Sequence, residues 1–349
     1  MVRLIDRMIR MAAESDWVVR ARRIADEELF PAALTVERLD HVVPDQLDKL
    51  ASEGFYGIAA PVEHGGLGRN LYPVLGDVIA ALAGGCLTTT FVWLQHLTPL
   101  MAVASIAQPR DRERWLAPLA SGKVRAGLAM ARPELIRVRA VPGGYELTGE
   151  SAWVTGWELI HVLLVGGVDE RDMLHFFLVD ARESAPSEPP TLTVRPTQLM
   201  AVQASRTVSL TFNRHFVPAD RLGLTQPLNQ FVAAEAGGSA MNGFLAVGVA
   251  ERCARLLETD DLEADIADTR QRLLNATGDE VPDARAQSSL LAARAAARLV
   301  VRTGSRSVLM DENAGRLHRE SGFLLVFGLR PAIKESLLRR LSTPVNASV

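Results

Sequence analysis

Cysteines and an excess of basic residues are both missing from this sequence. Only Cys86 and Cys253 are present, too few for a disulfide framework or a cysteine-rich zinc site. The chain has 38 lysines and arginines against 41 aspartates and glutamates. This near balance gives no electrostatic reason to expect nucleic acid or an anionic membrane as a partner. We therefore expect neither partner and no metal site.

Long apolar segments are also lacking. No stretch of 18 apolar residues occurs anywhere, and the first 23 residues carry charges in every turn. A membrane-spanning helix needs roughly 20 apolar residues, and a secretory signal needs an apolar segment near the N-terminus. The sequence therefore predicts a cytoplasmic protein without a membrane span.

Aromatic residues make up only 5% of the chain, whereas hydrophobic types reach 48% and charged residues 23%. This composition is close to that of globular proteins and excludes a chain that is disordered throughout. The 349 residues allow about two or three domains. Because alanine, leucine and arginine are abundant, we expect helices to predominate.

Hydrophobic spacing divides the chain into three zones. Apolar residues in the first 123 positions recur every three or four residues, as at Leu4, Met8 and Met11, which is the spacing of amphipathic helices. Further helices are predicted at 43–53, 73–83, 90–106 and 109–120, with a glycine-rich turn at 60–68 that we expect to be non-helical. Helical spacing returns after residue 224, with helices predicted at 231–257, 262–275, 284–310 and 331–341.

The central zone, 124–223, alternates apolar and polar residues instead. Strands are predicted at 145–154, 161–166, 173–180, 191–196 and 207–216, with turn residues between them. Several short strands at this spacing indicate a small antiparallel barrel or sandwich. The sequence therefore predicts an α+β fold with an N-terminal helical domain (1–123), a central β domain (124–223) and a C-terminal helical bundle (224–349).

Four segments carry a resemblance to a known family. They are GFYGI at 54–58 followed by PVEHGGLG at 61–68, GLAMARPE at 127–134, YELTGESAWVTG at 145–156, and the segment 208–223 that ends in VPADRLG. In this order and at this spacing they resemble the acyl-CoA dehydrogenase family, and the resemblance covers nearly the whole chain.

The resemblance implies a helical domain, a β domain and a four-helix domain, with FAD bound at a subunit interface. It also implies an acyl-thioester substrate and a homodimer or tetramer. In such a reaction a carboxylate removes the α-proton of the acyl group while the β-hydride passes to flavin N5.

Four residues are predicted to contact the flavin. The resemblance places Trp153 against the isoalloxazine and the Thr155 hydroxyl at the flavin edge. Because they are two residues apart on a strand, we expect their side chains to share a face. Met130 and Ala131 match the loop over the flavin, but Ala131 stands where the family has threonine, which leaves only backbone amides to bond the ring. The alternative, from the residues alone, is a tryptophan in a sheet core and a threonine favoured by strand propensity.

Other parts of the cofactor site depart from the family pattern. Arg132 is either a partner for a phosphate or carboxylate or a solvated surface charge. The family's Arg-x-x-Phe-Gly loop, which meets the FAD of a neighbouring subunit, is absent after the first long C-terminal helix. Acidic residues at 258–263 would repel a diphosphate there. We therefore expect FAD binding to be weakened or lost at this point.

The catalytic base is the third departure. Phe327 stands where many members carry a glutamate, and a phenyl ring accepts no proton. Glu235 is the remaining candidate, because it lies in an otherwise apolar stretch, 232–241, where burial would raise its pKa. The alternative is a glutamate at a helix start, stabilised by the helix dipole.

Three functions remain open on this evidence. The first is an FAD-dependent oxidoreductase that acts on the CH–CH group of an acyl thioester with a partly degenerate site. The second is a flavin-dependent monooxygenase of the same fold, which needs no α-proton base. The third is a non-catalytic partner subunit in a hetero-oligomer with a paralogue.

Histidines and cysteines outside these motifs are predicted to be structural. His96 is interpreted as a hydrogen-bonded core histidine, and Cys86 as a small buried hydrophobic residue. His161 and His175 lie on predicted strands without partners at metal-ligand spacing.

Overall fold

The computed structural model describes residues 16–39, 41–68, 71–106, 109–183, 189–235 and 238–342. The first helices of this part are α1 (Asp16–Ile24), α2 (Phe30–Leu39), α3 (Pro44–Ser52), α4 (Leu71–Gly85), α5 (Leu87–Leu94), α6 (Leu97–Ala104) and α7 (Pro109–Ala120). A π-helical turn at Ala25–Leu29 joins α1 to α2. The predicted helix through Leu4, Met8 and Met11 lies outside the described residues.

Two predictions in this helical region need correction. The single helix predicted at 90–106 is divided into two. Helix α5 ends at Leu94, and a turn at Gln95 and His96 separates it from α6. Pro99 lies in the first turn of α6, where a missing N–H costs no hydrogen bond. The glycine-rich turn also contains one short 3₁₀ turn at Val62–His64.

Eight strands form one sheet in the middle of the chain. They are β1 (Ala126–Ala129), β2 (Ile136–Val141), β3 (Gly144–Val154), β4 (Val162–Val168), β5 (Met173–Asp180), β6 (Leu192–Pro196), β7 (Val208–Pro218) and β8 (Leu222–Pro227). Their order is β6-β7-β3-β2-β4-β5-β8, with β1 beside β4. Most neighbours are antiparallel, as predicted, but β1 and β2 pair with β4 in parallel.

The parallel pairing follows from the burial of β4, whose residues are all buried. Leu163 and Val165 face one hydrophobic core, and Val162 and Leu164 face a second one that includes residues of α6 and α7. A strand covered on both faces is typical of parallel pairing. Strands β1, β2 and β8 were not predicted, and β8 continues to Pro227, beyond the predicted boundary at residue 223.

Helices return after the sheet: α8 (Leu228–Glu235), α9 (Gly243–Leu257), α10 (Glu263–Asn275), α11 (Val281–Thr303), α12 (Asn313–Leu324) and α13 (Pro331–Ser342). The helix predicted at 231–257 is interrupted between α8 and α9, where Gly238 has a positive φ of 72°. The helix predicted at 284–310 begins earlier, at Val281, and ends at Thr303 before Gly304, whose φ is also positive. Helix α12 was not predicted.

The N-terminal and C-terminal helices share one hydrophobic core. Helix α9 crosses α4 so closely that a Cβ added to Gly248 would lie 2.1 Å from the carbonyl oxygen of Ala80. Close crossing of this kind requires a residue without a side chain. The two helical zones of the sequence are therefore joined by packing around α9, with the sheet inserted between them along the chain.

A buried ion pair lies within helix α12, inside this core. Arg316 donates a hydrogen bond of 2.7 Å to Glu320 on α12, and both side chains are almost inaccessible to solvent. Burial, the largest influence, raises the pKa of Glu320 against the opposing effect of Arg316. One guanidinium nitrogen of Arg316 and one carboxylate oxygen of Glu320 have no hydrogen-bond partner, so this pair is incompletely satisfied.

Both cysteines lie inside the protein. Cys86 and Cys253 are buried and are not joined in a disulfide. Burial raises the pKa of both thiols, that of Cys253 to about 12. The interpretation of Cys86 as a small buried hydrophobic residue is confirmed.

Two histidines hold the chain where it passes from α7 into the sheet. His96 accepts the backbone N–H of Ala126 at Nδ1, at 3.0 Å, and its Nε2 donates to the carbonyl of Leu119, at 3.1 Å. His161 accepts the N–H of Arg125 in the same way. These bonds satisfy backbone groups that the turn into β1 leaves unpaired. The interpretation of His96 as a hydrogen-bonded core histidine is confirmed.

Candidate active site

The two segments predicted to contact a flavin lie next to each other. Gly127 on β1 packs against the chain just after β3, where an added Cβ would lie 3.1 Å from the carbonyl oxygen of Thr155. Gly156 faces α5, and an added Cβ there would lie 3.6 Å from Val92. The end of β1, the end of β3 and helix α5 therefore meet at one place.

Trp153 is the most unusual side chain at this meeting point. Its φ of 62° is positive, and the β3–β7 pairing shifts register between Ser151 and Val154. The indole is 63% exposed. A left-handed backbone costs a bulky residue about 1–3 kcal/mol, so strain and exposure coincide at a residue that a core role would bury.

Thr155 differs from Trp153 in its environment. Strand β3 ends at Val154, and Thr155 is only 3% exposed. Its hydroxyl lies 3.2 Å from that of Thr207, which in turn lies 2.8 Å from the hydroxyl of Ser205. The expectation that Trp153 and Thr155 share a face of a regular strand is wrong, because the positive φ at Trp153 breaks the alternation.

The loop after β1 offers a ligand backbone groups more than polar side chains. Met130 is half-buried and packs in the core beneath the sheet, where a Cβ on Gly166 would lie 3.5 Å from its Cγ. Ala131 is exposed and has no polar side-chain atom. Arg132 is exposed and pairs with Glu134 at 2.9 Å. Arg132 is thus a surface residue whose partner is a carboxylate of its own chain.

Phe327 belongs to an aromatic cluster. Its ring centroid lies 5.0 Å from that of Phe91 on α5 and 5.5 Å from that of Phe323 on α12. The Phe91 and Phe323 rings meet edge to face at 5.3 Å. Such contacts stabilise aromatic groups by about 0.5–1.5 kcal/mol per pair. The position that would hold a base is thus filled by apolar packing.

Glu235 lies at the end of α8, a helix without any buried residue. Its carboxylate accepts a hydrogen bond of 2.6 Å from Arg330, and its side chain is 47% exposed. The expectations of a buried apolar environment and of a helix-start position are both wrong. The apolar residues around it face outward because the long helix predicted there is interrupted.

The acidic segment 258–263, which stands where the family has its Arg-x-x-Phe-Gly loop, is a turn that leads into helix α10. Helix α10 folds back along α9, so that a Cβ on Gly243 would lie 2.5 Å from Leu273. Arg270 fixes the helix by bonding Glu251 on α9 at 2.7 Å and Asp77 on α4. The helix that follows the acidic turn is thus packed within its own chain.

One charged residue near Phe327 was missed by the sequence analysis. Arg285, on the first turns of α11, is 2% exposed. It donates hydrogen bonds to the carbonyls of Ser239, at 2.9 Å, and Phe327, at 3.0 Å. An arginine in an alanine-rich helix is not expected to be buried. Only the position of Arg285 on the inward-packing face of the helix could have indicated its burial.

The described residues form neither a cluster of metal ligands nor a membrane-spanning helix. Among the residues that the structure describes, no three His, Cys, Asp or Glu side chains cluster as metal ligands. No described helix is both long and apolar enough to cross a bilayer. His175 pairs with Asp169 at 3.0 Å instead.

Comparison with known proteins points to one family. Residues 12–123 match the model of the acyl-CoA dehydrogenase N-terminal domain. The fold matches butyryl-CoA dehydrogenase from Megasphaera elsdenii with a TM-score of 0.79 and 16% identity, over 93% of this chain and 95% of that one. The chain therefore resembles the acyl-CoA dehydrogenase family, in sequence over residues 12–123 and in fold over almost its whole length. The sequence resemblance and the predicted fold class are therefore confirmed.

Other similar proteins extend the comparison. Short-chain specific acyl-CoA dehydrogenase of Bos taurus is 25% identical over 215 residues, which are 58% of this chain and 50% of that protein. Acryloyl-CoA reductase (NADH) of Anaerotignum propionicum is 25% identical over 249 residues, 66% of this chain and 61% of that protein. A solved FAD complex of PigA matches with a TM-score of 0.80 and 17% identity, over 94% and 97% of the two chains. The chain spans about half the length of the bovine relative.

Proposed function

We propose that this chain is an FAD-binding oxidoreductase that acts on an acyl thioester. The observation that carries the proposal is Trp153, an exposed indole held in a strained backbone where β1, β3 and α5 meet. Backbone strain of this kind is concentrated at ligand sites. The names of the bovine dehydrogenase and of the PigA complex support the thioester and the cofactor respectively.

The residues at this place fit a flavin in part. The indole offers a flat apolar surface for stacking. The Thr155 hydroxyl still has hydrogen-bonding capacity, since a hydroxyl has one donor and two acceptor sites and its contact with Thr207 uses one of them. Met130 and Ala131 would contribute through their backbone. Bound FAD would supply the hydride acceptor that no side chain provides.

Proton transfer is the weaker part of the proposal. Arg330 donates a hydrogen bond to one oxygen of the Glu235 carboxylate, so Glu235 would have to act as the base beside a positive charge. Phe327 and its aromatic neighbours contribute no proton acceptor. This observation favours a second candidate, the flavin-dependent monooxygenase, whose chemistry needs no α-proton base.

Assembly is proposed on the same basis. Helix α10 packs on its own chain, so a second subunit would have to complete the FAD site with a different segment. We propose a homodimer or tetramer, and a hetero-oligomer with a paralogue if the chain alone binds no flavin.

The test is FAD titration of the purified protein, followed by flavin fluorescence and visible absorbance. We expect stoichiometric binding that Trp153→Ala weakens at least about tenfold, equivalent to about 1.4 kcal/mol. Trp115→Phe is the matched control, because Trp115 contacts Arg221, beyond the opposite end of β3 from Trp153. No binding at high micromolar FAD would overturn the proposal for the isolated chain and direct the search to a partner.

Acyl-thioester chemistry is tested separately on the flavin-loaded protein. We expect anaerobic bleaching of the flavin by short acyl-CoA esters, and we expect Glu235→Gln to abolish it. Bleaching that survives in Glu235→Gln would exclude Glu235 as the base. Loaded protein that no ester bleaches, but that consumes oxygen once reduced, would favour the monooxygenase.

A further inference from the structure

Arg285 is a buried cation without a carboxylate partner in the described part of the chain. Its two terminal nitrogens donate to the carbonyls of Ser239 and Phe327, and its Nε has no hydrogen-bond partner. Burial, followed by the nearby charge of Arg330, lowers the pKa of Arg285 to about 10. A buried charge held only by neutral groups is destabilising, and a bound counter-charge would relieve the cost.

Gly328 lies beside this guanidinium and puts no side chain over it. This glycine is exposed, with a positive φ of 60°. A Cβ built on it would lie 3.7 and 3.9 Å from the two terminal nitrogens of Arg285, and 3.6 Å from Nδ2 of Asn242. The point is almost equidistant from both guanidinium nitrogens. A small group above Gly328 therefore meets two hydrogen-bond donors from different elements.

The chemistry of these donors selects a carboxylate. Each terminal nitrogen of a guanidinium carries two hydrogens, so each keeps one after bonding a backbone carbonyl. Paired N–H groups match the two oxygens of a carboxylate, and the Asn242 amide adds a neutral donor. Arg330 lies on the same loop, but its charge is already paired with Glu235, so the subsite depends on Arg285 and Asn242.

We propose that Arg285, Asn242 and Gly328 form a subsite for a carboxylate, and that the acyl group of the substrate ends in one. The second half of this statement rests on the proposed thioester function, whereas the subsite itself does not. The preferred ligand is therefore a CoA thioester of a short dicarboxylic acid. A free dicarboxylate is expected to bind the same subsite more weakly, because it lacks the rest of the ligand.

The first experiment uses free succinate, so that it does not depend on the thioester function. Thermal unfolding of the full chain is measured in succinate and in sodium chloride at equal ionic strength. We expect succinate to raise the midpoint in a saturable way, as a ligand that binds only the native state does. No difference between the two salts overturns the subsite.

Substitutions locate the effect. Arg285→Gln should abolish the succinate response, and Arg302→Gln, a change on the exposed side of the same helix, should keep it.

Because Arg285 also holds two loops, its loss can weaken the fold. A second pair of variants therefore keeps Arg285 and changes Gly328. Gly328→Asp puts a carboxylate beside the guanidinium and should remove the response, whereas Gly328→Asn should retain part of it. Asparagine and aspartate both tolerate positive φ. Equal responses in wild type and Gly328→Asp overturn the proposal.

The second experiment compares succinyl-CoA with butyryl-CoA by calorimetry. We expect wild type to bind succinyl-CoA at least about tenfold more tightly, since a hydrogen bond to a charged group contributes about 1.5–3 kcal/mol. Arg285→Gln should bring the two affinities together. Equal affinities in wild type overturn the dicarboxylic substrate. Failure of both esters, with an intact succinate response, refutes the thioester function and leaves the subsite standing.

Discussion

Acidification should destabilise this protein through His96, before its carboxylates are protonated. Burial lowers the pKa of His96 from 6.5 to about 3, and the charge of Arg125 adds to the effect. The neutral ring is required, since Nδ1 accepts the N–H of Ala126 while Nε2 donates to Leu119. The unfolded chain therefore takes up a proton on this residue at a higher pH than the native chain does.

The direction and size follow from linkage. Since the folded pKa is lowered, stability is fully present above pH 6.5 and is lost as the pH falls towards 3. Between pH 7 and pH 5 the loss is about 2 kcal/mol, with a limiting slope of about 1.4 kcal/mol per pH unit. This lies in a range where carboxylates with ordinary pKa values remain ionised.

The measurement is the free energy of unfolding in urea at pH 7, 6 and 5 for wild type and His96→Gln. The variant should be less stable at pH 7 by about 1–3 kcal/mol, because a buried backbone N–H loses its acceptor. Its stability should then fall less steeply down to pH 5 than that of wild type, because only the lowered pKa values of His161 and His215 still contribute, so the two curves converge. His41→Gln, at an exposed histidine, should keep the wild-type pH dependence. Parallel curves for wild type and His96→Gln would falsify the reasoning.

Two further predictions concern the helical core. Gly248→Ala should destabilise the protein by about 1–3 kcal/mol in urea unfolding, because its Cβ meets the Ala80 carbonyl. Gly322→Ala should be neutral or stabilising by up to about 1 kcal/mol, since its Cβ meets only the flexible end of an exposed methionine; equal effects would contradict this. Glu320→Leu should cost about 3–5 kcal/mol by leaving Arg316 buried and unpaired, and Arg316→Met in the same chain should restore most of it. A double variant as unstable as the single one would refute that account.

Elements whose spacing is strongly periodic were predictable from the sequence. Helix α7 matches its predicted bounds at both ends, and strand β5 does too. Strand β1, by contrast, has only four residues, too few for alternation to be recognised. The division of the long helix before Gly243 escaped prediction as well, because alanine-rich sequence continues helical spacing across the interruption.

Two of the segments that carry the family resemblance are neighbours in the structure, since β1 lies against the chain just after β3. Whether their residues bind a flavin stays a prediction. The motif order gave no information on contacts made by packing. It could not show that Glu235 pairs with Arg330, since the two residues are 95 positions apart. Nor could it show that Arg285 is buried. Both facts arise from how the loop before α9 meets the loop before α13.

The proposed cofactor contact and the proposed base lie in different parts of this molecule. Trp153, the proposed flavin contact, lies in the sheet at the end of β3. Glu235 ends α8 and Phe327 lies on the loop before α13, where Arg330 and Arg285 bond to them. A change at these two positions need not disturb the sheet, so the proposed flavin binding and the proposed proton transfer can be lost separately. For that reason flavin binding alone does not identify the reaction, and the response of the loaded protein to acyl-CoA esters decides it.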